Sequence, residues 1–532
     1  MLATKPIRIG YFSTICLLSV AFGLSWWAGG RGFQPVESSM VFDGGWRILS
    51  GQLPYKDFVA PTVLSFYLQA LFFKLLGVNL WAYRMHAAVV NVCVTGLVIA
   101  ILRVLLSTSA GLIKVGALLT AIWFYAFLGI PSDFQTSIFL GLCGIAVILY
   151  ARQSQNSWRG YGRDSIFSPV FFAAPLMGLA FLAHPTSGAP FVVLPFFLLA
   201  TPPWPAKWWQ ALIDYTVGLA ASALLLFGIL SYFTDLSLFK HYALLLPLLD
   251  SLHIEPDLNS LLPFMAAMVL LCFWVLVPLL WRLGRRPQER EALWLPLICF
   301  LAILSFQVIQ LVLAGPASYA KFPLMGLLLV LAYELANGSW RSLLGSKKWY
   351  IRWLLRTLSL VMVLVILLAL GGGVYLAMLP RAKGHTAQQT LAKAIDREPL
   401  KGLRWTEPSG ITRQNVLEVT DFVRSMPDAI FVWSGFTILY GLGGHISVAP
   451  VVGDPAHAGL ANGSGTEQRA LDLWTLARLQ AFNPQYVIGP QKLLLYDDPA
   501  FPETMKYLNG HFAYEHERFG TALAVFKRMP GL

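Results

Sequence analysis

Charge is scarce in this chain. Only 12% of its 532 residues are charged, against 57% hydrophobic, whereas a soluble globular domain carries roughly a quarter charged residues. A soluble globule is therefore excluded. Cysteine is scarce too: Cys16, Cys93, Cys143, Cys272 and Cys299 all fall in or beside apolar runs, so neither a disulfide framework nor a CxxC metal site is available. No Gly-rich phosphate loop or Walker sequence occurs, which argues against a cytoplasmic nucleotide as a direct substrate. Internal repeats and low-complexity stretches are lacking as well.

What the chain does have is apolar length. Runs near 10–30, 80–102, 115–130, 134–151, 167–183, 187–201, 209–232, 260–281, 293–314, 318–336 and 354–379 are each readable as membrane-crossing helices, because about 20 apolar residues cover the hydrocarbon core of a bilayer. The pair at 167–183 and 187–201 is short. The fold class expected is a polytopic α-helical membrane protein with about eleven transmembrane helices. Lys5 and Arg8 precede the first run without a small-residue cleavage site after it, the pattern of a retained signal anchor.

The net charge of +12 does not point to nucleic acid. Residues 1–380 hold 24 Lys+Arg against 13 Asp+Glu, while residues 381–532 hold 15 against 14. The excess lies in alternate loops, around Arg103 and Lys114, Arg152 to Arg163, Lys207, Arg282 to Arg290, and Arg341 to Arg356. That is the positive-inside pattern, so those loops and the N-terminus are expected in the cytoplasm and the others outside. From about Gly384 the composition becomes that of a soluble domain. "DAIFVWSG", "PQYVIGP" and "GTALAVFKR" read as strands and "EQRALDLWTLARLQAF" as a helix, giving a small C-terminal extracytoplasmic α/β domain over 381–532 behind a membrane domain over 1–380.

The charged exception is the loop "VFDGGWRILSGQLPYKDFVAP", residues 41–61, lying between apolar runs. A helix from about Ser39 to Ser50 ends at Gly51, and "PTVLSFYLQALFFKLLG" forms a second helix lying in the interface, with Thr62, Ser65 and Gln69 along one face. Residues 31–79 thus form a long first outer loop. Asp43 and Arg47 are four apart and share a helix face. They are either an ion pair at a helix surface or a general base beside a phosphate-binding cation. Asp57 either caps the loop or takes part in chemistry. Other outer loops carry ionisable residues at membrane boundaries: Asp133, His184, His241 with Glu255 and Asp257, and Lys321. Lys321 and Arg84 each sit near a helix end, where snorkelling is the alternative to ligand binding. His184 lies in a short turn, where a solvated histidine is the alternative. Glu255 and Asp257 resemble a metal-binding pair only superficially, and no D-x-D occurs in the first two outer loops.

The run "FDGGWRILSGQLPYKDFVAPTVLSFYLQALFFKLLG" resembles the first outer loop of the membrane-embedded C-type (GT-C) glycosyltransferases, in the branch of the dolichyl-phosphate-mannose protein mannosyltransferases and lipid A aminoarabinose transferases. The resemblance is residue by residue over about 41–105 and architectural over the rest. It implies a catalytic acid at Asp43, a phosphate-contacting arginine at Arg47 and a second acid at Asp133. Many relatives have Asp-Glu where this chain has Asp43-Gly44, which leaves the division of roles among Asp43, Asp57 and Asp133 open. The implied reaction moves a sugar from a polyprenyl-phosphate donor to a glycan, lipid or protein acceptor outside a bacterial inner membrane. Its leaving phosphate calls for cations, for which Arg47, Lys321, Arg84 and His184 are the candidates. No cofactor, divalent metal or nucleic-acid partner is expected. A transporter is the rival reading, and would call for repeats, broken helices and mid-membrane charge. A glycan ligase would carry its site in a late outer loop, and a noncatalytic scaffold is the third alternative.

Overall fold

The apolar runs fold as helices. The computed structural model describes residues 10–30, 35–106, 110–125, 129–154, 168–200, 208–245, 258–285, 290–313, 323–343, 357, 361, 413–426, 429–433, 437–449, 465–489, 501–519 and 523–530. The helices begin with α1 (Tyr11–Gly29), α2 (Pro35–Leu49), α3 (Leu64–Leu76), α4 (Leu80–Leu105) and α5 (Ala110–Trp123). They continue with α6 (Asp133–Ser154), α7 (Pro169–Ala183), α8 (Pro185–Ala200) and α9 (Trp208–Phe233). After a π-helical turn at Phe239–Leu245 come α10 (Leu258–Arg285), α11 (Arg290–Leu313) and α12 (Met325–Leu343).

Among the described residues, four helices (Tyr11–Gly29, Leu80–Leu105, Asp133–Gln153 and Trp209–Phe233) are long and apolar enough to cross a bilayer, and seven shorter apolar helices accompany them. Leu224, Leu225 and Phe227 of α9 are 72%, 68% and 59% exposed. An apolar face of that kind fits a hydrocarbon surround, not water. The protein is a polytopic helical membrane protein. The expected run at 354–379 lies outside the described residues. The run expected at 115–130 is helical only as far as Trp123: by Gly129 the backbone has turned to φ 59° and lies against α1, where a Cβ would fall 2.1 Å from the Gly29 nitrogen.

Buried polar atoms tie the bundle. The Asn91 amide nitrogen donates to Ala21 O, Ser25 Oγ and Ala121 O, each at 3.0 Å, so one side chain on α4 joins α1 and α5. Around it, Val94, Val98, Leu102, Ile138, Leu142, Met177, Phe300 and Leu331 belong to one continuous core.

Both helices expected in the first loop form. α2 ends before Gly51, whose φ of 86° is the left-handed conformation that glycine adopts without strain. α2 and α3 pack closely because Gly44 and Gly45 have no side chains. A Cβ at Gly44 would lie 2.3 Å from the Phe66 ring, and one at Gly45 2.7 Å from Gln69. Phe66 fills the space that any side chain at position 44 would need.

The C-terminal residues form α13 (Arg413–Ser425), β1 (Ile430–Val432), α14 (Ile438–Gly443), α15 (Gly465–Phe482), β2 (Tyr486–Gly489), α16 (Pro502–His511), β3 (Phe512–Phe519) and β4 (Leu523–Arg528). The strands make one sheet in the order β1-β2-β4-β3, with β1 and β2 parallel and the other pairs antiparallel. Each stretch expected as strand or helix here is one. α13, α14, α16 and β3 are additions that periodicity did not mark. This unit shares a core with the first loop: Val41, Phe42, Phe58, Phe66 and Phe73 pack in one cluster with Val423, Ile430, Ile438, Tyr440 and Leu442.

The Gly44 contact gives a stability prediction. Gly44→Ala pushes a methyl into the Phe66 ring, and overpacking of this kind costs about 1–3 kcal/mol. A lowered thermal midpoint in lipid nanodiscs, partly recovered in Gly44→Ala with Phe66→Leu, is the expected result. An unchanged midpoint for Gly44→Ala contradicts the close approach.

Candidate active site

α2 brings Asp43 and Arg47 onto one face, as their spacing of four requires. Arg47 Nε donates to Asp43 Oδ2 at 2.9 Å, and both side chains are 0% exposed. Arg47 also donates through Nη1 to Ala449 O at 2.6 Å and lies over the Phe58 ring, 5.2 Å from its centroid. The Thr437 and Ser447 hydroxyls stand near the Asp43 carboxylate. Burial raises the Asp43 pKa above its ordinary value, and Arg47 and the two hydroxyls pull it only part of the way back.

The C-terminal unit roofs this pair. Trp46 Nε1 donates to His445 O at 2.8 Å, Gln52 Nε2 to Ser447 O at 2.8 Å, and the Ile438 N–H to Ser39 Oγ at 3.2 Å. Under that roof several polar atoms are buried without a hydrogen-bond partner among the described residues: Asp43 Oδ1, Arg47 Nη2, Gln52 Oε1, Tyr55 Oη, Thr437 Oγ1 and Ser447 Oγ. Native proteins leave few such atoms, and a cluster of them calls for explanation. Here a bare carboxylate oxygen and a bare guanidinium N–H belong to the same ion pair. They suit a ligand that offers a hydroxyl to one and an anionic oxygen to the other.

Asp57 acts within its own loop: its Oδ2 accepts from Leu53 N at 2.7 Å while its N–H donates to Leu53 O at 2.9 Å. This is the bracing role foreseen for it. Asp133 is the first residue of α6. The Ser65 hydroxyl donates to it, and Thr62 stands beside it. His184 lies between α7 and α8, with Nδ1 3.0 Å from Thr186 Oγ1 and its ring edge-on to Phe134 at 5.7 Å. Arg84 lies against α1, donating to Trp26 O at 2.5 Å and stacked 4.2 Å from that ring. Lys321, Glu255 and Asp257 lie outside the described residues.

The fold thus makes two acidic centres, Asp43 with Arg47 and Asp133 near His184, on either side of the 53–62 segment. Below the second, Phe306 stacks on Phe134 at 6.4 Å and packs on Phe191 at 5.6 Å. Phe191 and Phe306 also line a small apolar pocket with Ile101, Leu142, Leu194 and Ile303. Thr62, Ser65 and Gln69 were marked by sequence as one face of a helix. That face meets Asp133 and, through Gln69 Oε1 at 3.0 Å, His86. Thr437, Ser447 and Ala449 carried no signal, because nothing local relates them to a loop about 400 residues earlier.

A family model described as dolichyl-phosphate-mannose-protein mannosyltransferase matches residues 60–232. No curated protein matches the chain by sequence. ArnT from Cupriavidus metallidurans bound to undecaprenyl phosphate is similar in structure, with a TM-score of 0.53 at 15% identity, covering 98% of this chain and 99% of that one. The apo state of that ArnT is similar too, with a TM-score of 0.51 at 14% identity over 96% and 97%. The chain has the fold of the GT-C membrane glycosyltransferases.

The buried pair yields a double-mutant prediction. Removing one partner of such a pair costs about 3–5 kcal/mol, because the other charge is left uncompensated. Arg47→Ala is expected to fall in that range by thermal or denaturant unfolding in nanodiscs, and Arg47→Met with Asp43→Asn to lose much less. Equal losses for the single and double variants would mean the two side chains are not energetically coupled.

Proposed function

We propose that the protein is a membrane-embedded glycosyltransferase that moves a sugar from a polyprenyl-phosphate donor to an acceptor hydroxyl on the outer face of the membrane. The observation that carries this reading is the half-open pair, in which Asp43 Oδ1 and Arg47 Nη2 are buried without a hydrogen-bond partner among the described residues of a GT-C-like fold. Asp43 takes the proton of the acceptor hydroxyl as its oxygen forms a bond to the anomeric carbon. The bond from that carbon to the phosphate oxygen breaks, and its electron pair leaves with the polyprenyl phosphate. Arg47 neutralises the charge that grows there. A single displacement of this kind inverts the anomeric centre.

The small apolar pocket lined by Phe191 and Phe306 among the bundle helices agrees with a donor that has an isoprenoid tail. Asp133 and His184 are candidates for orienting the sugar or the phosphate, and Lys321 is a further candidate cation. Arg84 acts as a brace between α1 and α4. In this reading eleven crossings, from a cytoplasmic N-terminus, leave the C-terminal unit periplasmic at a bacterial inner membrane. The shared core supports that count: residues 41–73 and 423–442 lie together, so the chain between them crosses an even number of times, as the ten runs after residue 79 do.

The test is transfer from a panel of polyprenyl-phosphate sugars by the protein in lipid nanodiscs. Asp43→Asn is expected to lower kcat by about 10²- to 10⁴-fold, the usual worth of a general base, while donor binding survives. Equal turnover in both would remove Asp43 as base and turn attention to Asp133. Because the base must be ionised, the rate falls as pH drops. The midpoint is expected above the value of about 4 of a free aspartate, since burial raises the Asp43 pKa. The proposed reaction uses no divalent cation, so chelation leaves the rate unchanged.

A further inference from the structure

The C-terminal unit meets the first loop at a second place, and the contact there is aromatic. Tyr55 and Val59 pack with Tyr242, Ala243, Leu471 and Phe501, in a cluster separate from the one that holds Phe42 and Phe58. Phe239, Trp433 and Trp474 pack against this group but are only half-buried, so each keeps part of its surface open. Tyr55 meets Phe239 edge-on at 5.3 Å, and Trp433 meets Phe501 edge-on at 5.1 Å. Three pieces of chain supply the open rings and Tyr55: the first loop, the π-helical turn Phe239–Leu245, and the C-terminal unit through the end of β1 and α15.

Tyr55 is held there under strain. Its φ of 60° lies in the left-handed region, which a bulky aromatic residue seldom adopts. The conformation is pinned from both sides, because the Tyr55 N–H donates to Phe58 O at 2.6 Å and Tyr55 O accepts from the Asp235 N–H at 3.1 Å. Strained residues cluster at ligand sites, and π-helical turns are frequent there as well. The Tyr55 side chain is 1% exposed, yet its hydroxyl has no hydrogen-bond partner among the described residues. A phenol enclosed in this way forfeits the hydrogen bonds it would make in water. Phe58, in the same turn, lies against the Arg47 guanidinium at 5.2 Å, so the aromatic group stands one turn of chain from the candidate active site.

We propose that Tyr55, Phe239, Trp433 and Trp474 form a carbohydrate subsite that holds a sugar ring of the acceptor, so that the acceptor is a saccharide. Its assignment to the acceptor rests on the glycosyltransferase reading, whereas the chemistry of the subsite does not. A sugar ring has apolar C–H faces, which pack on aromatic rings, and a rim of hydroxyls, which need hydrogen-bond partners. Half-open indoles and a bare phenol hydroxyl answer both needs. A hydrocarbon chain would leave the Tyr55 hydroxyl unpaired, and an extended peptide calls for a row of free backbone groups that aromatic side chains do not offer. The donor carries its own sugar on a lipid phosphate and enters from the bilayer. Trp433 and Trp474 belong to the C-terminal unit, which favours the acceptor as the source of the ring.

The experiment titrates short oligosaccharides of glucose, galactose, mannose and N-acetylglucosamine, and a peptide rich in serine and threonine, into nanodisc-embedded protein. Binding is read by saturation-transfer NMR, and transfer kinetics are measured with the best-bound oligosaccharide as acceptor. Wild type is compared with Tyr55→Phe, Trp433→Phe, Trp433→Ala, Trp474→Ala and Leu473→Ala, the last being an exposed position beside Trp474. Both tryptophan-to-alanine variants are expected to weaken the oligosaccharide about 3- to 10-fold, the worth of a stacked aromatic contact, and Trp433→Phe to keep part of that affinity. Tyr55→Phe removes only an unpaired hydroxyl, so its thermal midpoint does not fall, while binding weakens about 3- to 10-fold through the lost hydrogen bond to the sugar. Leu473→Ala matches wild type, and in the other variants acceptor KM rises while donor KM stays. Wild-type affinity in Tyr55→Phe and in both alanine variants, or no binding by any oligosaccharide, would overturn the subsite. Peptide binding in place of oligosaccharide would make the acceptor a protein and overturn the saccharide. A rise in donor KM alone would overturn the assignment to the acceptor. Binding that depends on these rings, without transfer by wild type from any polyprenyl-phosphate sugar, sinks the enzyme reading and keeps the subsite. Transfer that none of these substitutions affects does the reverse.

Discussion

The buried ion pair of Asp43 and Arg47 is the constraint around which the rest of the site is arranged. Two charges removed from water cost several kcal/mol each unless their attraction and further hydrogen bonds offset the loss. One such bond, from Arg47 Nη1, goes to the backbone carbonyl of Ala449. The pair thus depends on the C-terminal unit for part of its solvation, and the C-terminal unit in turn packs Tyr440 and Leu442 against α2 and α3. The apolar contact and the polar one hold the same two pieces of chain together.

That arrangement also keeps water from the carboxylate and the guanidinium. In a shielded cleft the pull of a cation on a leaving phosphate is much stronger than in bulk water. Phe306 and Phe191, which pack together at 5.6 Å, also line a small apolar pocket inside the helical bundle, so the polar pair on α2 and the apolar pocket belong to different parts of the fold.

Much of this was legible because its cause is local. The apolar runs within the described residues, the four-residue spacing of Asp43 and Arg47, Gly51 as a helix stop and the strand patterns of 430–432 and 486–489 depend on near neighbours only, and each of these is found. A loop-bracing role for Asp57 was present as an alternative, and its bond with Leu53 has that form, whereas the contact of Arg84 with Trp26 was not foreseen. Thr437, Ser447 and Ala449 were not legible. Their roles come from long-range packing, for which periodicity and spacing have no signal. Gly44 lies between these cases: its departure from the relatives was visible, but its reason, the Phe66 ring, needed the packing of α2 on α3.

The bond between Arg47 and Ala449 joins residues 402 apart in sequence. A ribosome adding about 5–20 residues per second needs some 20 to 80 seconds to make the second partner after the first. For that interval the first loop stands without its roof, its arginine and aspartate solvated and its aromatic face uncovered. Enclosure of the pair therefore waits until the residues around Ala449 have been made, long after the helices that carry the pair can enter the bilayer.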